Sequence, residues 1–221
     1  MMCVYLQQNT AKRVLYAVAV LHNCSKVAAN VTPLRKAGTK DILMKYFDSK
    51  ERESSMAVTI LHTLVNIMEF SEVMSLKVPD DVLSTIVKYI REAAADDIKH
   101  YALKHYASAD VCFNFHAIEQ VAGICRLSKN PACRQSMVKK NVTEHLVRLM
   151  EIGDQTEQEL ACNAVWELLS EQTADAIASS PKLTDVVRKL KDSGERQVAD
   201  AANRLEVKLK QLLRSRRGQS K

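Results

Sequence analysis

Apolar residues return along this chain at steps of three and four, polar residues fill the turns between, and the pattern then starts over. Val14, Ala17, Val18, Leu21 and Cys24 make one stripe, and Ala57, Ile60, Leu61, Leu64, Ile67 and Met68 the next. A third runs through Ile118, Val121, Ala122, Cys125 and Leu127, and a fourth through Leu160, Ala161, Ala164, Val165, Leu168 and Leu169. Such spacing puts apolar side chains on one face of an α-helix. After each stripe comes a break and a second helical stretch closing on an apolar residue, at Tyr46-Phe47, Tyr89-Ile90, Leu149-Met150 and Lys189-Leu190. These closures are 43, 60 and 40 residues apart. A period near 40 built from helical pattern alone predicts a repeat array, each unit burying its apolar face against its neighbours.

The breaks support the same phasing. Gly38, Asp81, Asn141 and Pro181 each lie nine residues before a closing apolar residue. Glycine and asparagine accept left-handed backbone, and proline and aspartate suit a helix start, so all four predict a corner between helices. Pro79-Asp80-Asp81 predicts a helix N-terminus, where acidic residues meet the positive end of the dipole. Thr156 with Glu159 has the spacing of a capping box. The 60-residue step implies an insertion at about residues 96–115, and Arg196, Val198, Ala202, Leu205, Leu209 and Leu212 predict a last helix capping the stack. One repeat domain over residues 1–213 and a basic tail over 214–221 follow.

Two segments resemble armadillo repeats. Residues Leu34-Arg35-Lys36-Ala37-Gly38-Thr39-Lys40-Asp41-Ile42-Leu43-Met44-Lys45-Tyr46-Phe47 are similar to that family's link between its helices. Residues Ala161-Cys162-Asn163-Ala164-Val165-Trp166-Glu167-Leu168-Leu169-Ser170 are similar to its alanine-rich inner helix. The resemblance implies an all-α, right-handed α-α superhelix of about four repeats with a concave groove; HEAT repeats are the neighbouring pattern. Family members that hold extended peptides use an asparagine on each inner helix. By that resemblance the matching positions here are Asn23, Asn66, Arg126 and Leu168, which leaves the asparagine ladder half complete. Asn23, Asn66 and Arg126 are therefore the candidate groove residues for a protein or peptide partner. Trp166 falls off the ladder and is expected in the core.

Charge changes the picture only at one end. Six basic residues and no acidic ones lie from Lys208 onward, among them Arg214, Arg216 and Arg217, and the remaining 26 basic residues match 26 acidic ones. The body is formally neutral, so nucleic-acid or anionic-membrane binding is expected only through the tail. Six cysteines without a C-x-x-C pair predict reduced thiols in a cytoplasmic or nuclear protein rather than a disulfide or zinc framework. Nucleophile elbow, Walker A, H-E-x-x-H and dinucleotide motifs do not occur. His100 and His105, five residues apart, point about 140° away from each other on a helix. The sequence thus predicts a non-enzymatic adaptor without metal, cofactor or small-molecule substrate. Two readings stand beside it: an adaptor acting through the basic tail, and a regulatory region of a larger signalling protein.

Overall fold

The computed structural model describes residue 14 and residues 16–49, 53–94 and 117–219, without the side chains of 55, 117 and 216–219. The expected insertion at about 96–115, with His100 and His105, lies outside the described residues. So do Cys3, Cys112 and the side chains of Arg216 and Arg217. Every regular element among the described residues is an α-helix. The described residues form an all-α helical-repeat fold, and the chain divides into two compact units, one up to Lys77 and one from Val78 onward.

The first unit holds α1 (16–25), α2 (Ala28–Lys36), α3 (Thr39–Phe47), α4 (Ser54–Ile67) and α5 (Phe70–Ser75). Gly38 turns the chain between α2 and α3 at φ 71°, as its position predicts. Leu43 and Phe47 of α3 pack against α4, whose Ala57, Val58, Ile60, Leu61, Leu64 and Ile67 are buried. Glu69 and Glu72 close a reciprocal capping box at the start of α5.

The second unit holds α6 (Asp80–Ala93), α7 (Ala117–Leu127), α8 (Pro131–Lys139), α9 (Val142–Ile152), α10 (Gln155–Leu168), α11 (Ala174–Ala178), α12 (Leu183–Lys191) and α13 (Arg196–Gln219). It has two layers. In one, α10 lies between α7 and α13; in the other, α9 lies between α6 and α12, and the layers meet where α9 packs on α10. Ile90, Leu149, Met150 and Leu190, the closing residues of the repeat pattern, are buried in the seam. Leu146, Ile86, Val165, Leu168, Ala202 and Leu205 fill the rest of it. The apolar stripe of α13 packs on α10 and α12, as expected for the last helix. Its helix continues through the sequence-defined tail to Gln219.

Three local expectations are corrected. Asn141 takes the left-handed corner at φ 60°, but in the last repeat Lys182 (φ 63°) does so rather than Pro181, whose ring fixes φ near −65°. Asp81 is no corner either: Pro79 is the extended N-cap and Asp81 sits in the first turn of α6. The capping box of α10 is not Thr156 with Glu159 but Asp154 with Glu157. Its two hydrogen bonds run from Glu157 N to Asp154 Oδ1 (2.9 Å) and from Asp154 N to Glu157 Oε2 (3.0 Å).

Candidate functional site

In the second unit α7, α10 and α13 each show a buried arc, and α4 of the first unit, buried at every position from 57 to 65, carries the same order of apolar residues. In α4 the buried positions Ala57, Val58, Ile60, Leu61, Leu64 and Val65 match Ala161, Cys162, Ala164, Val165, Leu168 and Leu169 of α10. In α7 the same pattern falls on Gln120, Val121, Gly123, Ile124, Leu127 and Ser128. The α7 stripe is therefore centred differently from the sequence expectation, with Ile118, Ala122 and Cys125 leaning outward. At 100° per residue the outward faces follow. They are Ala122, Cys125 and Arg126 on α7, with Lys129 in the turn after it; Asn163, Trp166 and Glu167 on α10, with Ser170 beyond its end; and Asp200, Asn203, Arg204 and Val207 on α13. The matching α4 positions are Thr59, His62 and Thr63, which are buried, and Asn66.

This register relocates two members of the expected ladder. Leu168 corresponds to Leu64, fully buried, and cannot face a partner. Counted along the chain, the Asn66 position falls on Val207 of α13 and, past the ends of α7 and α10, on Lys129 and Ser170. Arg126 is exposed and lies on the outward face, one turn earlier, level with Thr63 and Glu167. Asn23 is exposed on α1. Asn66 is half-buried, and its amide donates to Ser25 Oγ at 2.9 Å, so part of its capacity is spent inside the first unit.

Trp166 departs from expectation most. It is 36 % exposed rather than core, because it falls about 100° beyond Val165, just outside the buried arc. The Lys208 ammonium of α13 stands 3.8 Å from the centre of its ring and donates to the Trp166 carbonyl at 2.7 Å. A cation over an indole face is held by the ring quadrupole. On the other side of α10, Lys129 Nζ reaches both carboxylate oxygens of Glu167 at 2.5 Å. Burial pushes the Lys208 ammonium below its usual value; Glu167 opposes the shift, and Arg134 and Lys129 add to it. These charges therefore feel one another. Sequence reading missed Lys129, Lys208 and the exposure of Trp166, since each depends on which helices stand side by side.

At the other end of the same face Glu159, Gln197, Asp200, Asn203 and Arg204 line a shallow hollow, where Arg204 donates to Asn163 Oδ1 at 3.2 Å. Among the described residues no group of three His, Cys, Asp or Glu side chains is placed to hold a metal ion. The four described cysteines, Cys24, Cys125, Cys133 and Cys162, are free thiols. Burial raises Cys125 and Cys162 to about 12 and Cys133 to about 11, so these three stay protonated and unreactive at neutral pH. No described helix is long and apolar enough to cross a membrane.

No protein-family model matches the chain, and no curated protein matches it. Solved structures do. The crystal structure of an engineered protein aligns at TM-score 0.51 and 18 % identity over 90 % of both chains. A second engineered protein aligns at TM-score 0.51 and 20 % identity, over 89 % of this chain and 44 % of that one. A designed armadillo repeat protein aligns at TM-score 0.46 and 17 % identity, over 90 % of this chain and 94 % of that one. At these identities the likeness to the two engineered proteins concerns the fold alone.

Proposed function

We propose that this armadillo-like helical repeat is a non-enzymatic adaptor that holds a segment of a partner protein along the outward faces of its inner helices. Repeat folds of this kind present extended surfaces rather than enclosed reaction sites. The observation that carries the reading is the α7–α10–α13 face, where an exposed tryptophan stands among charged side chains reaching between helices. Exposed aromatic and arginine side chains are the groups that most often anchor a protein partner. Arg126 belongs to this face, and Asn23 and Asn66 are the corresponding candidates of the first unit. Free thiols suit a cytoplasmic or nuclear setting. Partner capture with the wild-type chain and with a variant combining Arg126→Glu, Asn23→Ala and Asn66→Ala tests the reading. Loss of captured partners from the folded variant is expected, and an unchanged set of partners removes the groove assignment.

A second reading draws on the tail. The α13 helix carries Arg214, Arg216 and Arg217 through to Gln219, and a basic helix end can meet nucleic acid or anionic lipid. Removing residues 214–221 and following salt-dependent binding to an oligonucleotide and to phosphatidylserine vesicles separates the readings. Only this second one expects loss.

A further inference from the structure

The outward face of α7, α10 and α13 is not uniform in charge. Towards the C-terminal ends of α7 and α10 it gathers Arg126 and Lys129, with Arg134 of α8 and Lys208 of α13 beside them. Glu167 is the carboxylate set among them: it pairs with Lys129 and acts on Lys208 and on Cys125, as Lys129 and Arg126 also do on Cys125. Neither Arg126 nor Arg134 has a carboxylate partner among the described residues. Beside this group stands the Trp166 ring, capped by Lys208 and about one-third exposed. The opposite end of the face is balanced in charge, Glu159 and Asp200 standing with Arg204 and with Arg196, which pairs with Asp200.

We infer that this end of the face binds a short acidic protein segment, its carboxylates set between Arg126, Lys129, Arg134 and Lys208 and an apolar or aromatic side chain laid on Trp166. The inference rests on the groove reading above and names the chemistry of its ligand. Four cations around one carboxylate leave a local excess of positive charge on a body that is otherwise neutral. Removing that excess from water is unfavourable unless the partner supplies acidic groups. Arginine and lysine serve different contacts here: the guanidinium forks of Arg126 and Arg134 suit bidentate carboxylates, while Lys208 already shares its N–H groups with the Trp166 carbonyl. A nucleic-acid strand fits less well. Its phosphates continue at regular spacing, and along this face they would run from the cations onto an end where Glu159 and Asp200 offset Arg204 and Arg196. A short acidic run has no such continuation.

Selection of random 12-residue peptides displayed on phage against the full chain tests the inference. Enriched peptides are expected to carry net negative charge and an aromatic or large apolar residue. Their affinity, read by anisotropy of the labelled peptide, is expected to fall at least tenfold for Lys129→Glu with Lys208→Glu, and several-fold for Trp166→Ala. It is also expected to weaken as salt rises from 50 to 300 mM on the unmodified chain, a readout that needs no variant. Trp166 is the sole tryptophan, so its emission shifts on binding if the ring is covered. Neutral or basic peptides whose binding is nevertheless lost in Arg126→Glu would overturn the acidic segment and leave the groove standing. Peptides indifferent to every change on this face, or no enrichment, would overturn both. Tighter binding of a 12-nucleotide oligothymidine, abolished by the same charge reversal, would replace the protein segment with nucleic acid.

Discussion

Helices α4 and α10 occupy the same register in different repeats, and their buried arcs are nearly interchangeable: Ala-Val, Ile-Leu and Leu-Val in one, Ala-Cys, Ala-Val and Leu-Leu in the other. Their outward faces have diverged. On α4 the face is Thr59, His62, Thr63 and Asn66, and the first three of these are buried. Helix α1 covers part of it: Thr63 Oγ1 lies 3.4 Å from His22 Nδ1, the rings of His22 and His62 are 6.2 Å apart, and Asn66 is held by Ser25. On α10 the face is Asn163, Trp166 and Glu167, of which Trp166 is exposed and the other two are half-buried. One repeat position thus serves two ends. Where it is closed, polar groups pack against α1, with Thr63 donating to the Thr59 carbonyl and Asn66 to Ser25; where a large aromatic stands at the surface, charged residues bridge to the neighbouring helices. Packing constrains the arc and leaves the face to vary.

The comparison breaks most sharply at its shared part. Leu64→Ala and Leu168→Ala remove fully buried side chains at equivalent positions, and each is expected to cost about 2–5 kcal/mol in urea unfolding. Trp166→Ala, one helical step outside the same arc, is expected to cost only about 1 kcal/mol, the scale of an exposed cation–π contact with some lost packing. A tryptophan in the core would cost about 3–5 kcal/mol. A loss of that size at Trp166, or a near-neutral Leu168→Ala, would show that the two helices do not share a register.

The helix starts differ too. The N-cap of α4, Glu53, makes no side-chain capping bond, whereas Asp154 and Glu157 cap α10 reciprocally. Asp154→Ala is expected to lower stability by about 1 kcal/mol, and Glu53→Ala by a few tenths at most. Thr156→Ala should resemble Glu53→Ala, because Thr156 is exposed and lies inside the helix it was expected to open. Chemical denaturation of the three variants side by side checks the order.

How far the sequence foretold this molecule depends on what kind of residue is asked. Periodicity located the helices, and the closing residues Phe47, Ile90, Met150 and Leu190 are buried as it requires. Gly38 and Asn141 announced their corners, because few residues take positive φ cheaply. Lys182 could not announce its own: a lysine says nothing of backbone conformation, and Pro181 beside it drew the assignment. Register was the weaker inference. On α7 the buried arc includes Gln120 and Ser128, which no hydrophobic pattern would select, and Arg126 was set at the Asn66 position when Lys129 holds it. Trp166 was misplaced because apolar character outweighed its angle on the helix. The contacts of Lys129 and Lys208 come from residues 38 and 42 positions away, and no local pattern carries such information.

The smallest test returns to what the units have in common. Each ties a glutamate to a lysine on another helix: Glu72 of α5 to Lys40 of α3 at 2.6 Å, and Glu206 of α13 to Lys191 of α12 at 2.7 Å. The lysine hydrogen bond is the main cause holding each carboxyl below its ordinary value. The Glu69 backbone N–H adds to it for Glu72, and Lys210 adds to it for Glu206. A carboxyl whose folded value is depressed stabilises the fold above its unfolded value, near 4.3, and that contribution is lost as pH falls through the folded value. Both pairs are largely solvent-screened, so the effect is small. Thermal melting of wild type, Glu72→Gln and Glu206→Gln at pH 7 and pH 3 should show a slightly narrower gap between the two pH values in each variant. If the gap narrows in one variant only, the corresponding ion pair in the other unit is absent in solution, and the likeness of the two units ends at their cores.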